Sequence, residues 1–250
     1  MKKLPEITLL FWIMKIAATT LGETAGDLLA QTLGVGYAVA SLLLLGLFVI
    51  SLALQLRARK FHPPLYWTVI LSTSTAGTTM SDFINRTAGL GYAGGALLLI
   101  IALAVVFAVW HRSGYPFDVA TITTVRGESL YWAAILVSNT LGTSLGDFLA
   151  DSSGLGFLGG ALVVSGLLAA LVIARSTTRV SHTSLFWMAF VLTRPLGATT
   201  GDFFTKPIAA GGMGYGTLGS SVILGSVLVA LIAHTYRKQQ QPVLVTPLTV

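Results

Sequence analysis

The 250 residues include no cysteine. This excludes a disulfide framework and a thiolate metal centre, and it leaves the redox compartment unmarked. Charge is scarce as well. Only 10% of residues are charged, against about 25% in a soluble domain, while 54% are hydrophobic and the mean hydropathy is +0.81. That balance excludes an ordinary soluble domain and points to a multi-spanning membrane protein. The net charge of +6 would suit a nucleic-acid binder in a soluble chain. Here the basic residues fall in loops between apolar spans, so membrane topology accounts for them and no nucleic-acid partner is expected. Met1-Lys2-Lys3 before an apolar run has the look of a signal peptide. Lys15 interrupts that run, and the whole segment recurs later in the chain, so it reads as a first transmembrane helix.

What the chain does contain is a repeat. Leu21-Gly22-Glu23-Thr24-Ala25-Gly26-Asp27 returns as 76–82, 141–147 and 196–202. Each copy has a Gly five residues before its Asp (Gly22, Gly77, Gly142, Gly197) and a hydroxyl three before it (Thr24, Thr79, Ser144, Thr199). A Trp lies 15 residues before each Asp: Trp12, Trp67, Trp132 and Trp187. A Gly-x-Gly-aromatic turn follows at Gly34, Gly89 and Gly154, and is read at Gly212 to Tyr215 after a three-residue insertion. Four copies of a multi-point pattern define an internal repeat. The Asp-to-Asp steps of 55, 65 and 55 residues offset the second pair of repeats from the first by 120. A two-helix unit doubled twice produces that spacing.

A span needs about 20 apolar residues. The pattern predicts an all-α integral membrane protein with eight transmembrane helices. They form four parallel two-helix repeats near 8–60, 61–115, 128–178 and 183–236, with polar odd helices inside and apolar even helices outside. One transmembrane domain covers 1–238, and 239–250 reads as a mobile tail. Eleven Lys and Arg lie on the side of the termini and long connections, and only Arg86 and Lys206 on the Gly-x-Gly side. By the positive-inside rule both termini are cytoplasmic, and the Trp residues mark the inner interface. The localisation read from this is a bacterial inner membrane.

The polar residues of the odd helices fall on one face. In the first repeat they are Lys15, Thr19, Thr20, Glu23 and Thr24, at 12, 8, 7, 4 and 3 residues before Asp27. The same face carries Ser74, Thr75, Thr78, Thr79 and Asp82; then Asn139, Thr140, Thr143, Ser144 and Asp147; then Arg194, Thr199 and Asp202. Charge in a bilayer centre costs about 2.5–3.5 kcal/mol even on the mildest scale, so these faces are expected to converge away from lipid. Carboxylates with Thr, Ser and Asn oxygens make a hard ligand set for Mn²⁺, Ca²⁺, Mg²⁺, Na⁺ or H⁺. Asp27, Asp82, Asp147 and Asp202 are the expected metal ligands or proton carriers. Glu23, Thr24, Thr79, Ser144, Thr199 and Asn139 are the expected supporting oxygens. Arg194 is too deep to escape and is expected to pair with Glu23 or a neighbouring Asp. Lys15 is expected to pair within the cluster or, more simply, to snorkel to the inner surface.

The repeated G-[ET]-[TS]-x-G-D pattern resembles bacterial multi-pass proteins called uncharacterised membrane-anchored proteins. The resemblance covers nearly the whole chain and implies no particular activity. Glu23 to Asp27 is also similar to the Glu-x-Gly-Asp-[Lys/Arg]-[Thr/Ser] motif of Ca²⁺/Mn²⁺:H⁺ exchangers, whose acids bind the transported metal. Here the Glu is four residues before the Asp, and Leu28 holds the basic position. Intramembrane aspartyl proteases use Gly-x-Gly-Asp, but the first Gly is absent from all four copies. The sequence therefore favours a gradient- or proton-coupled transporter of a hard cation, Mn²⁺ or another divalent ion foremost, and not an enzyme. No cofactor is expected beyond a bound divalent cation. Partners are the lipid bilayer and an inorganic cation, and a homo-oligomer is compatible with the sequence. The alternatives are an assembly protein whose polar core only specifies packing, and an intramembrane aspartyl hydrolase.

Overall fold

A computed structural model describes residues 3–240. Met1, Lys2 and 241–250, which include most of the expected tail, lie outside the described residues. Eight α-helices are present among the described residues: α1 (Leu9–Asp27), α2 (Tyr37–Arg57), α3 (Pro63–Asp82), α4 (Gly91–Ser113), α5 (Val125–Asp147), α6 (Gly156–Thr177), α7 (His182–Thr205) and α8 (Gly216–Gln240). Four of them, α2, α4, α6 and α8, are long and apolar enough to cross a membrane. Their apolar side chains are mostly exposed, for example Leu42, Ile101, Leu162 and Val229. This is an all-helical membrane protein.

The odd helices form a closed ring in the order α1–α3–α5–α7, with α7 back against α1. Each even helix packs on the odd helix of the following repeat: α2 on α3, α4 on α5, α6 on α7, and α8 on α1. The repeat is a two-helix unit that buries its surface only against its neighbour. Four units close the circle, so none is left with an open edge.

The glycine five residues before each Asp makes this closure. Gly22 lies against Ser74, Gly77 against Asn139, Gly142 against Arg194, and Gly197 against Thr19. In every case the partner is eight residues before the next helix's Asp. A small residue lets two backbones approach closely. A Cβ on Gly77 would stand 3.0 Å from the backbone of Asn139 and Thr140, which cannot swing away. Gly77→Ala is therefore expected to lower stability by about 1–3 kcal/mol. Gly46→Ala, in open space on α2, should instead raise it by up to about 1 kcal/mol. Unfolding of the purified protein in mixed micelles measures both. Equal stability of Gly77→Ala and wild type would show that the ring seam is not tight.

The first three odd helices end at their Asp and pass into one wide turn with a hydrogen bond five residues back. The bonds are Leu33 N to Leu28 O, Ala88 N to Phe83 O, and Ser153 N to Phe148 O, at 2.9, 2.7 and 3.0 Å. Pairs of left-handed glycines then reverse the chain: Gly34 and Gly36, Gly89 and Gly91, Gly154 and Gly156. In the fourth repeat the equivalent pair is Gly214 and Gly216, not Gly212. The bond from Val35 N to Leu29 O matches that from Tyr215 N to Phe204 O. The insertion is thus five residues rather than three, and the aromatic residue falls between the glycines. It replaces the wide turn with Lys206 in extended backbone (φ −70, ψ 151) and a short 3-10 turn at Ile208–Ala210.

Candidate functional site in the ring

At 100° per residue, positions 4 and 8 before each Asp lie about 40° and 80° to one side of it, and position 3 lies about 60° to the other. The ring uses this difference. Position 4 faces the axis with Glu23, Thr78 and Thr143. Position 3 turns away. Thr24 donates to Leu21 O and accepts from Ser221 of α8, Thr79 donates to Ala76 O, and Thr199 donates to Pro195 O. Ser144 meets Ser81 at 2.7 Å and Asn85 at 2.9 Å. On these faces the hydroxyls that reach Glu23 are therefore Thr78 and Thr143, each 3.3 Å from its Oε2. Thr24, Thr79, Ser144 and Thr199, the expected neutral oxygens, are thus placed away from Glu23. Asn139 is likewise bonded elsewhere. Its Oδ1 accepts from Lys15 Nζ at 3.3 Å, and its Nδ2 donates to Thr73.

The carboxylates occur at two levels. At the Asp end, Lys206 Nζ bridges Asp27 Oδ2 at 2.9 Å and Asp202 Oδ1 at 3.2 Å, across the α1–α7 seam. Gln31 Nε2 completes Asp27 by donating to Oδ1 at 2.6 Å. Arg86 does the same across α3–α5, with Nε 2.9 Å from Asp82 and Nη2 3.9 Å from Asp147. Arg86 and Lys206 both lie four residues past an Asp, 120 residues apart. Sequence reasoning assigned them to topology alone. The signal was there, because four residues past a helical Asp is the same face one turn on. Burial works against both charges, yet Asp82 and Asp147 raise the pKa of Arg86, and Asp202 and Asp27 that of Lys206. Neither bridge is lost by deprotonation near neutral pH.

Glu23, one turn deeper, meets two of these Asp: Glu23, Asp147 and Asp202 each offer a buried oxygen, and the three oxygens lie within 4.8 Å of one another. Asp147 Oδ2 has no hydrogen-bond partner. Arg194 closes this level from below. It is fully buried, with Nη1 3.0 Å from Glu23 Oε2 and 3.2 Å from Thr19 O, and Nη2 3.2 Å from Ser74 O. The expected partner for Arg194 is thus Glu23.

Lys15 is a correction. It is fully buried, bonded to Asn139 and 4.0 Å over the Phe190 ring, and none of the described ion pairs includes it. The snorkelling expectation fails because position 12 before the Asp points into the ring, where α5 and α7 cover it. The Trp residues are corrected too. Trp67, Trp132 and Trp187 are buried and only Trp12 is half-buried, so they are not interface anchors. Fifteen residues is about 60° past four whole turns, on the side of positions 4 and 8. Each Trp meets the aromatic residue 16 before the preceding helix's Asp. The pairs are Phe11–Trp67 at 5.7 Å, Tyr66–Trp132 at 5.4 Å, Tyr131–Trp187 at 5.9 Å and Phe186–Trp12 at 5.7 Å. This collar closes the Trp end of the axis, and the Tyr66 and Tyr131 hydroxyls lock it at 2.6 Å. Beyond it lies buried Glu128, bound by Gln55 at 2.9 Å and Lys3 at 3.1 Å. A lone acid in the first turn of α5 gave no sequence signal.

Fold and site together define a membrane protein in which four homologous helices enclose a polar, carboxylate-rich axis. The family described as Repeat of Unknown Function (DUF347) matches 10–61, 65–115, 130–181 and 185–241, and the chain belongs to it. No curated protein and no solved structure matches the chain.

Proposed function

We propose that the protein transports a hard cation across a bacterial cytoplasmic membrane, Mn²⁺ or another divalent ion ahead of Na⁺, and performs no enzymatic reaction. All eight helices span the bilayer in this reading, as four parallel hairpins. The odd helices are shielded from lipid by the even ones, both termini are cytoplasmic, and the Asp end faces outside. The observation that carries the proposal is the buried trio Glu23, Asp147 and Asp202, whose oxygens lie within 4.8 Å of one another. The buried acids Glu23, Asp27, Asp82, Asp147 and Asp202 face Arg86, Arg194 and Lys206 at this end of the ring among the described residues. If all are ionised, two negative charges remain. One divalent cation or two protons would neutralise them, and Thr143 would supply a neutral oxygen, while Thr78 accepts from Arg194. Proton coupling suits such a site because crowded carboxyls titrate as a group. Of the two acids in the exchanger-like motif, Glu23 belongs to the trio and Asp27 to the Lys206 bridge. Closure by the aromatic collar at one end and the basic bridges at the other supports a carrier rather than an open pore.

Mn²⁺ flux into proteoliposomes tests this reading. Wild type should carry Mn²⁺ down its gradient, and Asp147→Asn should lose at least about 90% of the flux, since it removes the carboxylate with the fewest partners. A wild-type protein that passes no cation under any imposed gradient would end the transport reading. A second reading has its own support: Arg194, Arg86 and Lys206 already pair with Glu23, Asp82, Asp27 and Asp202. In that reading the polar axis only specifies packing. Thermal stability indifferent to Mn²⁺, together with absent flux, would select it.

A further inference from the structure

The two basic bridges at the Asp end are equivalent by the 120-residue offset, but they are built differently. Arg86 sits in the wide turn after α3, with Nε on Asp82 of its own helix and its guanidinium 5.6 Å from the Tyr92 ring. Its second carboxylate, Asp147, is at 3.9 Å. Lys206 stands on backbone that has left the helix, at the start of the five-residue insertion. Its ammonium lies between two carboxylates on different helices, at 2.9 and 3.2 Å. An ammonium is a compact point charge on a flexible stem, whereas a guanidinium is a planar fork. Lys206 therefore occupies the place a small cation would take between Asp27 and Asp202. Its side chain is 23% exposed, so it has a route outward. Asp202 is also a member of the buried trio. It is the one carboxylate shared between the Lys206 bridge and the central site.

We propose that the seam between α1 and α7 is the outer entrance for the transported cation, and that Lys206 is a tethered competitor that an arriving divalent cation displaces from Asp27 and Asp202. The proposal rests on the cation-transport reading. Displacement frees Asp202 to ligate the incoming ion and hand it inward to Glu23 and Asp147. The outward swing of Lys206 exchanges one positive charge for two, so the seam gains one charge with each entry. Lys206 is on this account a residue that sets affinity and selectivity, biasing the site against monovalent ions that cannot outcompete the ammonium.

The chain has no cysteine, so an introduced one can be modified alone. Mn²⁺ binding is measured by calorimetry on the purified full-length protein in detergent. Lys206→Gln and Lys206→Cys are expected to bind Mn²⁺ about tenfold tighter than wild type, because the apparent affinity of a site blocked nine-tenths of the time falls by that factor. Alkylating Lys206→Cys with 2-bromoethylamine restores an ammonium at nearly the original reach and should return the affinity to the wild-type value. Lys206→Arg should bind no tighter than wild type. A structural role alone would not make affinity rise on removal of the charge and fall on its chemical replacement. If wild type binds Mn²⁺ and the two neutral variants bind it no more tightly, the competitor role is overturned while the central site stands. If none of the proteins binds Mn²⁺, both readings fall together.

Discussion

Replacing Arg194 with Gln is expected to destabilise the protein by about 3–5 kcal/mol, and Glu23→Gln by a similar amount. The double variant should lose much less than the sum. The two side chains form a fully buried ion pair at 3.0 Å. Breaking a buried pair leaves the survivor's charge unpaired, and that cost exceeds what the pair itself contributes. Removing both partners leaves two neutral amides in a polar setting. The singles should differ in one respect. Glu23→Gln leaves Arg194 bonded to the carbonyls of Thr19 and Ser74. Arg194→Gln leaves Glu23 with Thr78 and Thr143 and no charge, beside two more carboxylates. It should therefore be the worse of the two, and Mn²⁺ should restore part of its stability, whereas it should not rescue Glu23→Gln. Arg194→Lys should not substitute, since one ammonium cannot reach Glu23 and both carbonyls as a planar fork does. Equilibrium unfolding of the four proteins gives the coupling energy directly. Additivity within about 0.5 kcal/mol would mean that the contact carries no energetic weight.

Asp202→Asn is expected to abolish Mn²⁺ flux, by at least about a hundredfold, and to do so more completely than Asp27→Asn or Asp82→Asn. Asp202 holds Lys206 and also faces Glu23 and Asp147, so its loss damages entrance and centre together. Asp27 keeps Gln31 and Lys206 as partners and lies outside the trio. Asp82 is bound by Arg86 of its own helix. Changing either should weaken a bridge and slow the flux by a smaller factor. Losing a negatively charged ligand from a hard-cation site also lowers affinity through charge count, so binding and flux should fall in parallel for Asp202→Asn. Flux measured across the three variants decides the ranking. Equal losses for all would mean that the four Asp act as one symmetric ring, contrary to the division into bridges and trio.

Much of the site was legible because the α-helix fixes angle by residue number. The spacing of Trp, Gly, hydroxyl and Asp already contained the repeat and its polar faces. It also contained the offset that makes Arg86 and Lys206 equivalents. A count of 100° per residue would even have separated position 3 from position 4, and turned the Trp residues inward. Thr24, Thr79, Ser144 and Thr199 sit away from Glu23 because a broad polar stripe does not all face one way. In the ring its two edges meet different neighbours.

The sequence alone determined the composition that demands a membrane, the fourfold repeat, and the face on which each acid lies. Those are properties of single helices, and helix geometry translates them without knowledge of any partner. Only the tertiary structure decided which faces meet. Glu23 and Arg194 are 171 residues apart in the chain, and they touch because the fourth repeat closes on the first. Lys15 is hidden because two other helices cover it, and Lys206 reaches Asp27 only across the closing seam. Contacts of this kind depend on the cyclic order of the helices. That order is set by the close approach of each motif glycine to the next helix, a property of the assembled ring rather than of any one repeat.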